Sequence, residues 1–160
     1  MTHLYLLLPD IRSAHNVGSI FRTANAAGVT KIFLTGTTPA PIDRFGRKRA
    51  DIAKVALGAE DTVPWEYHAS YADVLTLCRD HVDIVALEQD PRSIPYTHYT
   101  PPSARDILCV VGNEVDGISK DILEHAHTIV EIPMYGDKES LNVSVATGIL
   151  LFFVRTQRAV

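Results

Sequence analysis

Three polar segments of this chain hold residues whose types and spacing can do chemistry. The longest is Glu131–Phe153, reading EIPMYGDKESLNVSVATGILLFF. There an apolar strand end at Ile132 breaks at Pro133, a glycine-bearing polar loop follows, and Ser140-Leu141-Asn142 opens a strongly apolar helix. A helix start needs one capping side chain, which Ser140 or Asn142 can supply. A whole polar loop between two core elements exceeds that need, and loops placed by a rigid scaffold are where binding groups tend to sit. The second segment is Val110-Val111-Gly112-Asn113-Glu114-Val115-Asp116-Gly117, in which a buried strand ends in a glycine, an acid and another glycine. It has neither the G-x-G-x-x-G spacing of a dinucleotide fold nor the Lys-Ser/Thr of a phosphate loop. Its free backbone amides can hold a small polar ligand; the plainer reading is a tight strand-to-helix turn with exposed acids. The third segment, Ser13-Ala14-His15-Asn16-Val17-Gly18-Ser19-Ile20-Phe21-Arg22, opens a helix that Ser13 or Asn16 can cap, and Gly18 admits the close approach of another backbone. Arg22 lies past the first helical turn and, taken alone, reads as a surface arginine.

The elements that must position these segments are legible as runs and periods. Apolar runs at Leu4–Leu8, Lys31–Thr35, Ile84–Leu87, Ile107–Val111 and Thr128–Ile132 predict strands. Helical spacing predicts helices over Val17–Ala27, Tyr71–Cys78 and Asn142 to about Arg158, the last with Val143, Ala146, Leu150 and Phe153 on one face. Buried strands alternating with helices imply an α/β fold, a mainly parallel sheet with helices on both faces. Ligands of such sheets bind beyond the carboxyl ends of the strands. Each of the three polar segments follows a strand, so all three can meet on one edge. That convergence is the case for an active site, although spacing alone does not name the reaction. Asp90–Pro102, with Pro91, Pro95, Pro101 and Pro102, reads as a stiff loop. No repeat, low-complexity tract or linker divides the chain, and residues 1–160 read as one domain.

Composition bounds the function classes. Hydrophobic residues make up 46% and charged residues 21%, ordinary values for a soluble globular chain. No apolar run approaches the ~20 residues of a bilayer span. Leu4–Leu8 is too short for a signal peptide and stops at Pro9, so the expected location is the cytoplasm. Cys78 and Cys109 lie in apolar segments without metal-ligand spacing and read as small core residues. His125 and His127 are two apart, which turns them away from each other on a helix, and no metal site is expected. The net charge of −4 argues weakly against a general polyanion binder. Against that average, Arg44, Arg47, Lys48, Arg49 and Lys54 crowd into Asp43–Lys54. They read either as a solvated helix face or as a patch that contacts phosphates.

Taken together, the segments resemble the SpoU/TrmH-type members of the SPOUT methyltransferase superfamily. The family's N-x-G-x-I-x-R helix start stands here as Asn16–Arg22, and its G-x-E-x-x-G turn as Gly112–Gly117. Its I-P-M-x-G…S-L-N-x-S-V-A segment stands as Ile132–Gly136 with Ser140–Ala146. Order and coverage match over nearly the whole chain, and the third motif is the specific one. Leu57-Gly58-Ala59-Glu60 also looks like a segment often seen between the first two. The resemblance implies a deep trefoil knot at the C-terminal end, with the last helix threading it. It implies S-adenosylmethionine held there largely by backbone groups of Leu87, Gly112, Ile132, Met134 and Leu141.

The implied reaction is methyl transfer to a ribose 2′-hydroxyl of tRNA or rRNA, with Arg22, Glu114, Ser140 and Asn142 as its catalytic residues. A neutral 2′-hydroxyl needs alignment and a proton acceptor, whereas the sulfonium methyl is already activated and no metal is required. The family gives the central role to Arg22. A guanidinium does not readily lose its proton, so Arg22 reads better as a ligand of the phosphate beside the target ribose and a stabiliser of the developing alkoxide. Glu114 and Asn142 would orient Arg22 or the substrate, Ser140 would bridge to them, and the general base stays open. Asn16, Arg44, Arg47, Lys48 and Arg49 are the expected RNA contacts. Family members work as homodimers in which Arg22 of one subunit completes the other's cofactor site, and the chain reads as a catalytic domain alone. Two other readings stand beside this one: an RNA- or ribosome-binding module without turnover, and methylation of an RNA base.

Overall fold

The computed structural model describes residues 2–78 and 80–158. Seven strands form one sheet: β1 Leu4–Pro9, β2 Lys31–Thr35, β3 Trp65–His68, β4 Val82–Leu87, β5 Ile94–Pro95, β6 Asp106–Val111 and β7 Thr128–Glu131. Their order across the sheet is β3-β2-β1-β6-β4-β7-β5, and every pairing is parallel. The central strands are apolar on both sides because both sides are covered. Leu4, Leu6 and Leu8 join Ile32, Leu34, Ile107 and Cys109 in a core under helices α1 (Ala14–Ala26), α2 (Ala50–Ala56) and α6 (Val143–Arg158). Leu7 joins Phe33, Ile84, Ala86, Leu108 and Val110 under α4 (Tyr71–Cys78) and α5 (Lys120–His125). A short helix, α3 (Ala59–Thr62), follows α2. This is the α/β architecture that the periodicity predicts.

The second half of the sheet is interleaved. Among β4 to β7, no two strands consecutive in the chain are neighbours in the sheet. The chain must therefore cross the sheet's ends repeatedly, and the loops after β4, β6 and β7 open side by side at one carboxyl edge. The loop after β1 joins them there, because β1 pairs with β6.

Several boundaries differ from expectation. Two strands escape the apolar-run criterion: β3, an edge strand of mixed polarity, and β5, two residues inside the proline-rich Asp90–Pro102 segment. Proline is tolerated at a sheet edge, where an N–H is not required. The helix α1 begins at Ala14 and is capped by Ser13, not Asn16: the Ser13 hydroxyl accepts the Asn16 N–H at 3.2 Å. The final helix begins at Val143, and Asn142 is its cap, with Oδ1 accepting the Ser144 N–H at 2.8 Å. Strand β7 stops at Glu131, which frees Ile132 for the loop. The basic cluster is not a helix face: Arg44, Arg47 and Lys48 lie in the loop before α2, Arg49 is the residue before its first turn, and only Lys54 is on it. Cys109 is fully buried, and that burial pushes its thiol pKa up to about 12, as a core cysteine requires.

Gly18 is where α1 and α2 meet. A Cβ there would stand 2.7 Å from the Ile52 carbonyl oxygen, so glycine is what lets the two backbones come this close.

Candidate active site

At the carboxyl ends of β4, β6 and β7 the loops enclose a cleft of about 480 Å³. Leu87, Gly112, Ile132, Met134 and Leu141, all five residues expected at a cofactor, line it. The main-chain groups of Met134 and Leu141, outside any helix or strand, make no hydrogen bond among the described residues and are open to a ligand. Apolar side chains form part of the wall, and polar side chains with main-chain groups form the rest, the usual make-up of a small-molecule site. The charge of the lining is one-sided. Glu88, Glu114 and Glu131 contribute carboxylates, and among the described residues no lysine or arginine lines the cleft. Such a field favours a cationic ligand and disfavours a bare phosphate.

A chain of hydrogen bonds ties the three polar segments together at the mouth of this cleft. Asn142 Nδ2 donates to Asn16 Oδ1 at 3.1 Å, and Asn16 Nδ2 donates to Glu114 Oε1 at 2.8 Å. Glu114 also accepts the Arg12 N–H at 3.1 Å and the Ser13 N–H at 3.3 Å, so its carboxylate sits on the entry to α1. Partial burial pushes the Glu114 pKa up, but the bonds from Asn16 and from the backbone amides outweigh it and hold the carboxyl below its ordinary range. Asn142 does double duty: its oxygen caps α6 and its amide nitrogen reaches α1.

The remaining expected residues are placed less centrally. Ser140 lines the cleft and makes no hydrogen bond among the described residues; the hydroxyl bonded to Asn142 belongs instead to Ser144, at 2.6 Å. Arg22 is exposed on α1, is absent from the cleft lining, and bonds neither Glu114 nor Asn142 within the chain. The expected basic contacts lie in the separate loop after β2. Three of them are already paired with carboxylates: Arg47 with Asp43, Lys48 with Asp61 and Arg49 with Asp51.

Sequence reasoning missed three residues at the site. Glu88 accepts the Ile118 N–H at 2.8 Å, and Gly117, in a left-handed conformation at φ 68°, has no room for a Cβ against that carboxylate. Gln89 Nε2 donates to the Glu139 carbonyl at 2.6 Å and so tethers the loop after β7 to the end of β4. Both stand directly after a strand, the position that a parallel sheet marks for ligand contacts. Arg12, just before the third segment, pairs with Asp116 of the second at 3.1 Å.

Among curated proteins, the chain is 36% identical over 156 residues to the 23S rRNA (guanosine-2′-O-)-methyltransferase RlmB of Neisseria meningitidis serogroup B, covering 97% of this chain and 59% of that protein. It is 33% identical over 155 residues to RlmB of Escherichia coli K12, covering 96% and 60%. The chain thus spans about three-fifths of the length of these relatives. Among solved structures, an AdoMet-bound rRNA methyltransferase from Sinorhizobium meliloti superposes with a TM-score of 0.84 at 28% identity, covering 96% of this chain and 56% of that one. A TrmH/SpoU tRNA modifying enzyme from A. aeolicus superposes at 0.83, also with 28% identity, covering 99% and 77%. The SpoU rRNA Methylase family model matches residues 3–152, a span that holds the hydrogen-bonded residues of all three segments and the cleft between them, and the chain belongs to that family.

Proposed function

We propose that this chain transfers the methyl group of S-adenosylmethionine to a ribose 2′-hydroxyl of ribosomal or transfer RNA. The observation that carries the reading is the bonded series Asn142–Asn16–Glu114 at the mouth of an acid-lined cleft. Family membership and relatives named as 2′-O-methyltransferases of rRNA support it. The cleft suits the cofactor chemically, since its carboxylates favour a sulfonium and its apolar walls favour an adenine ring. Leu87, Gly112, Ile132, Met134 and Leu141 would hold it, chiefly through the main chain. The cofactor, when bound, supplies an activated methyl on sulfur, which needs no metal. Glu114, held ionised, fixes the start of α1 against the turn after β6 and so sets the distance between nucleotide and cleft. Asn142 lines the cleft, and the buried Asn16 holds it there by bridging it to Glu114.

A cleft without a basic residue leaves the RNA phosphates to be met from outside it. Arg22 is exposed and supplies that contact from the second subunit of a homodimer. A stripe on α6 gives the dimer an apolar seam: Val145 and Phe152 are 52% and 48% exposed, with Ile149 between them on the same face. The reading includes one catalytic domain over residues 1–160, a knotted C-terminal end and a cytoplasmic location. No helix among the described residues is long and apolar enough to cross a membrane.

The test uses labelled S-adenosylmethionine and RNA extracted from a strain lacking the gene. Wild-type protein should label RNA at a ribose. Arg22→Ala should bind the cofactor within a few-fold of wild type yet transfer methyl about a hundredfold more slowly, the scale of losing one transition-state donor. Cofactor binding by wild type with no labelled RNA would leave a non-catalytic RNA-binding module. Label recovered on a base would overturn the ribose assignment.

A further inference from the structure

The loop between β2 and α2 is built more firmly than a solvated connection requires. An antiparallel bridge joins Ile42 to Lys48, the Asp43 N–H donates to the Arg47 carbonyl at 2.8 Å, and the Arg49 N–H donates to the Pro41 carbonyl at 2.9 Å. Inside this hairpin Asp43 Oδ1 accepts the amides of Phe45 at 2.8 Å and Arg47 at 3.0 Å, while Arg47 Nε donates to Oδ2 at 3.0 Å. These bonds, the Arg47 amide foremost, hold the Asp43 carboxyl below its ordinary range. The braced tip displays an aromatic ring to solvent: Phe45 is 66% exposed. Two guanidiniums attend it, Arg44 at 4.8 Å and Arg47 at 5.0 Å from the ring centroid. Arg44 has no carboxylate partner among the described residues, whereas Arg47, Lys48 and Arg49 each have one.

The Phe45 ring is open to a partner that can stack on it. Its surroundings select the occupant. A planar group with a π-face stacks on the ring, and the flanking guanidiniums require that this group carry negative charge on either side. An unpaired nucleotide of an RNA meets both demands, and phenylalanine offers no hydrogen bond by which one base would be preferred to another. A duplex does not meet them, because its bases are already stacked and a loop tip cannot reach their faces. Because all strands are parallel, this loop opens on the same carboxyl edge as the cleft.

We propose that Phe45 is a stacking platform for an unpaired nucleotide flanking the target ribose, with Arg44 and Arg47 turning to the adjoining phosphates, so that the substrate is a loop or single-stranded stretch of RNA rather than a helix. The proposal rests on the RNA reading above for its choice of partner, but its test is a binding measurement that does not need methyl transfer. The probes are a short labelled single-stranded RNA of mixed sequence and the same RNA annealed to its complement. Phe45→Ala should weaken binding of the single strand about tenfold or more, the value of one stacked base, and leave duplex binding nearly unchanged. Phe45→Trp should retain affinity. Arg44→Ala should lower the slope of log affinity against log salt by about 0.7, one phosphate contact on a single strand. Equal affinity of wild type and Phe45→Ala for the single strand overturns the proposal, as does a wild type that prefers the duplex. A protein that methylates RNA but is indifferent to Phe45 loses this inference alone. One that binds single strands through Phe45 without transferring methyl keeps it and loses the catalytic reading.

Discussion

Glu114 is bonded as a positioning carboxylate rather than as a free proton acceptor. It accepts hydrogen bonds from the Asn16 amide and from the N–H groups of Arg12 and Ser13, and these hold its pKa below the ordinary range. A carboxylate so satisfied is a weak proton acceptor, so its work is positional. Glu114→Gln keeps the shape but replaces two acceptor oxygens with one. Methyl transfer should then fall about tenfold or more, while cofactor affinity changes little. The pH dependence follows from the direction of the shift. A folded pKa below the unfolded one means the carboxylate's contribution is present above the unfolded value, near pH 4, and is lost as pH falls through the folded value. The melting-temperature gap between wild type and Glu114→Gln should therefore be open at neutral pH and close below about pH 4. A gap that persists unchanged in acid would show that the network does not depend on an ionised group.

At the scale of elements, α1 is the part on which the site hangs. Ser13 caps it, and at its far end Arg155 of α6 donates to the Ala27 and Gly28 carbonyls. A cation at a helix C-terminus is favourable on both dipole and hydrogen-bond grounds. Along its length, Gly18 presses against the Ile52 carbonyl of α2. Gly18→Ala puts a methyl group where a backbone oxygen stands 2.7 Å away, so one helix must shift. The expected cost is about 1–3 kcal/mol, read as a lower denaturant midpoint. Because α1 carries Asn16 and Arg22, methyl transfer should fall as well. Gly136→Ala is the contrast: open space surrounds that position, and stability should move by no more than about 0.5 kcal/mol.

For the whole molecule, the decisive fact is that one chain offers a cleft without a basic residue and an exposed Arg22 outside it. The proposed homodimer, joined along α6, would reconcile the two. Phe152→Glu places a charge on the exposed face of the proposed seam and should yield monomers in sedimentation, with transfer activity lost and the fold intact. Mixing two inactive variants gives a sharper check. If Arg22 and Asn142 of different subunits share a site, Arg22→Ala and Asn142→Ala expressed together should recover about a quarter of wild-type activity, since half the dimers are mixed and each mixed dimer has one intact site. Activity that stays at the level of the single variants would place Arg22 and Asn142 in the same subunit's site or deny Arg22 its role.

The residue types, the order of the three polar segments and the parallel α/β architecture were all readable from the sequence, because apolar runs and helical spacing are local properties. So was the expectation that the three segments would converge on one edge, given that each follows a strand. Local pattern could not reveal β3 and β5, edge elements with too little apolar surface to leave a run. Nor could it show that the basic cluster is a braced loop displaying Phe45, because the bracing comes from backbone bonds to Asp43. The Asn142–Asn16 bond joins residues 126 apart in the chain, and the Glu88 carboxylate reaches the Ile118 amide 30 residues away. Contacts over such separations depend on the interleaved order of β4 to β7. That order minimises the free energy of the whole sheet and is not written in any one of its strands.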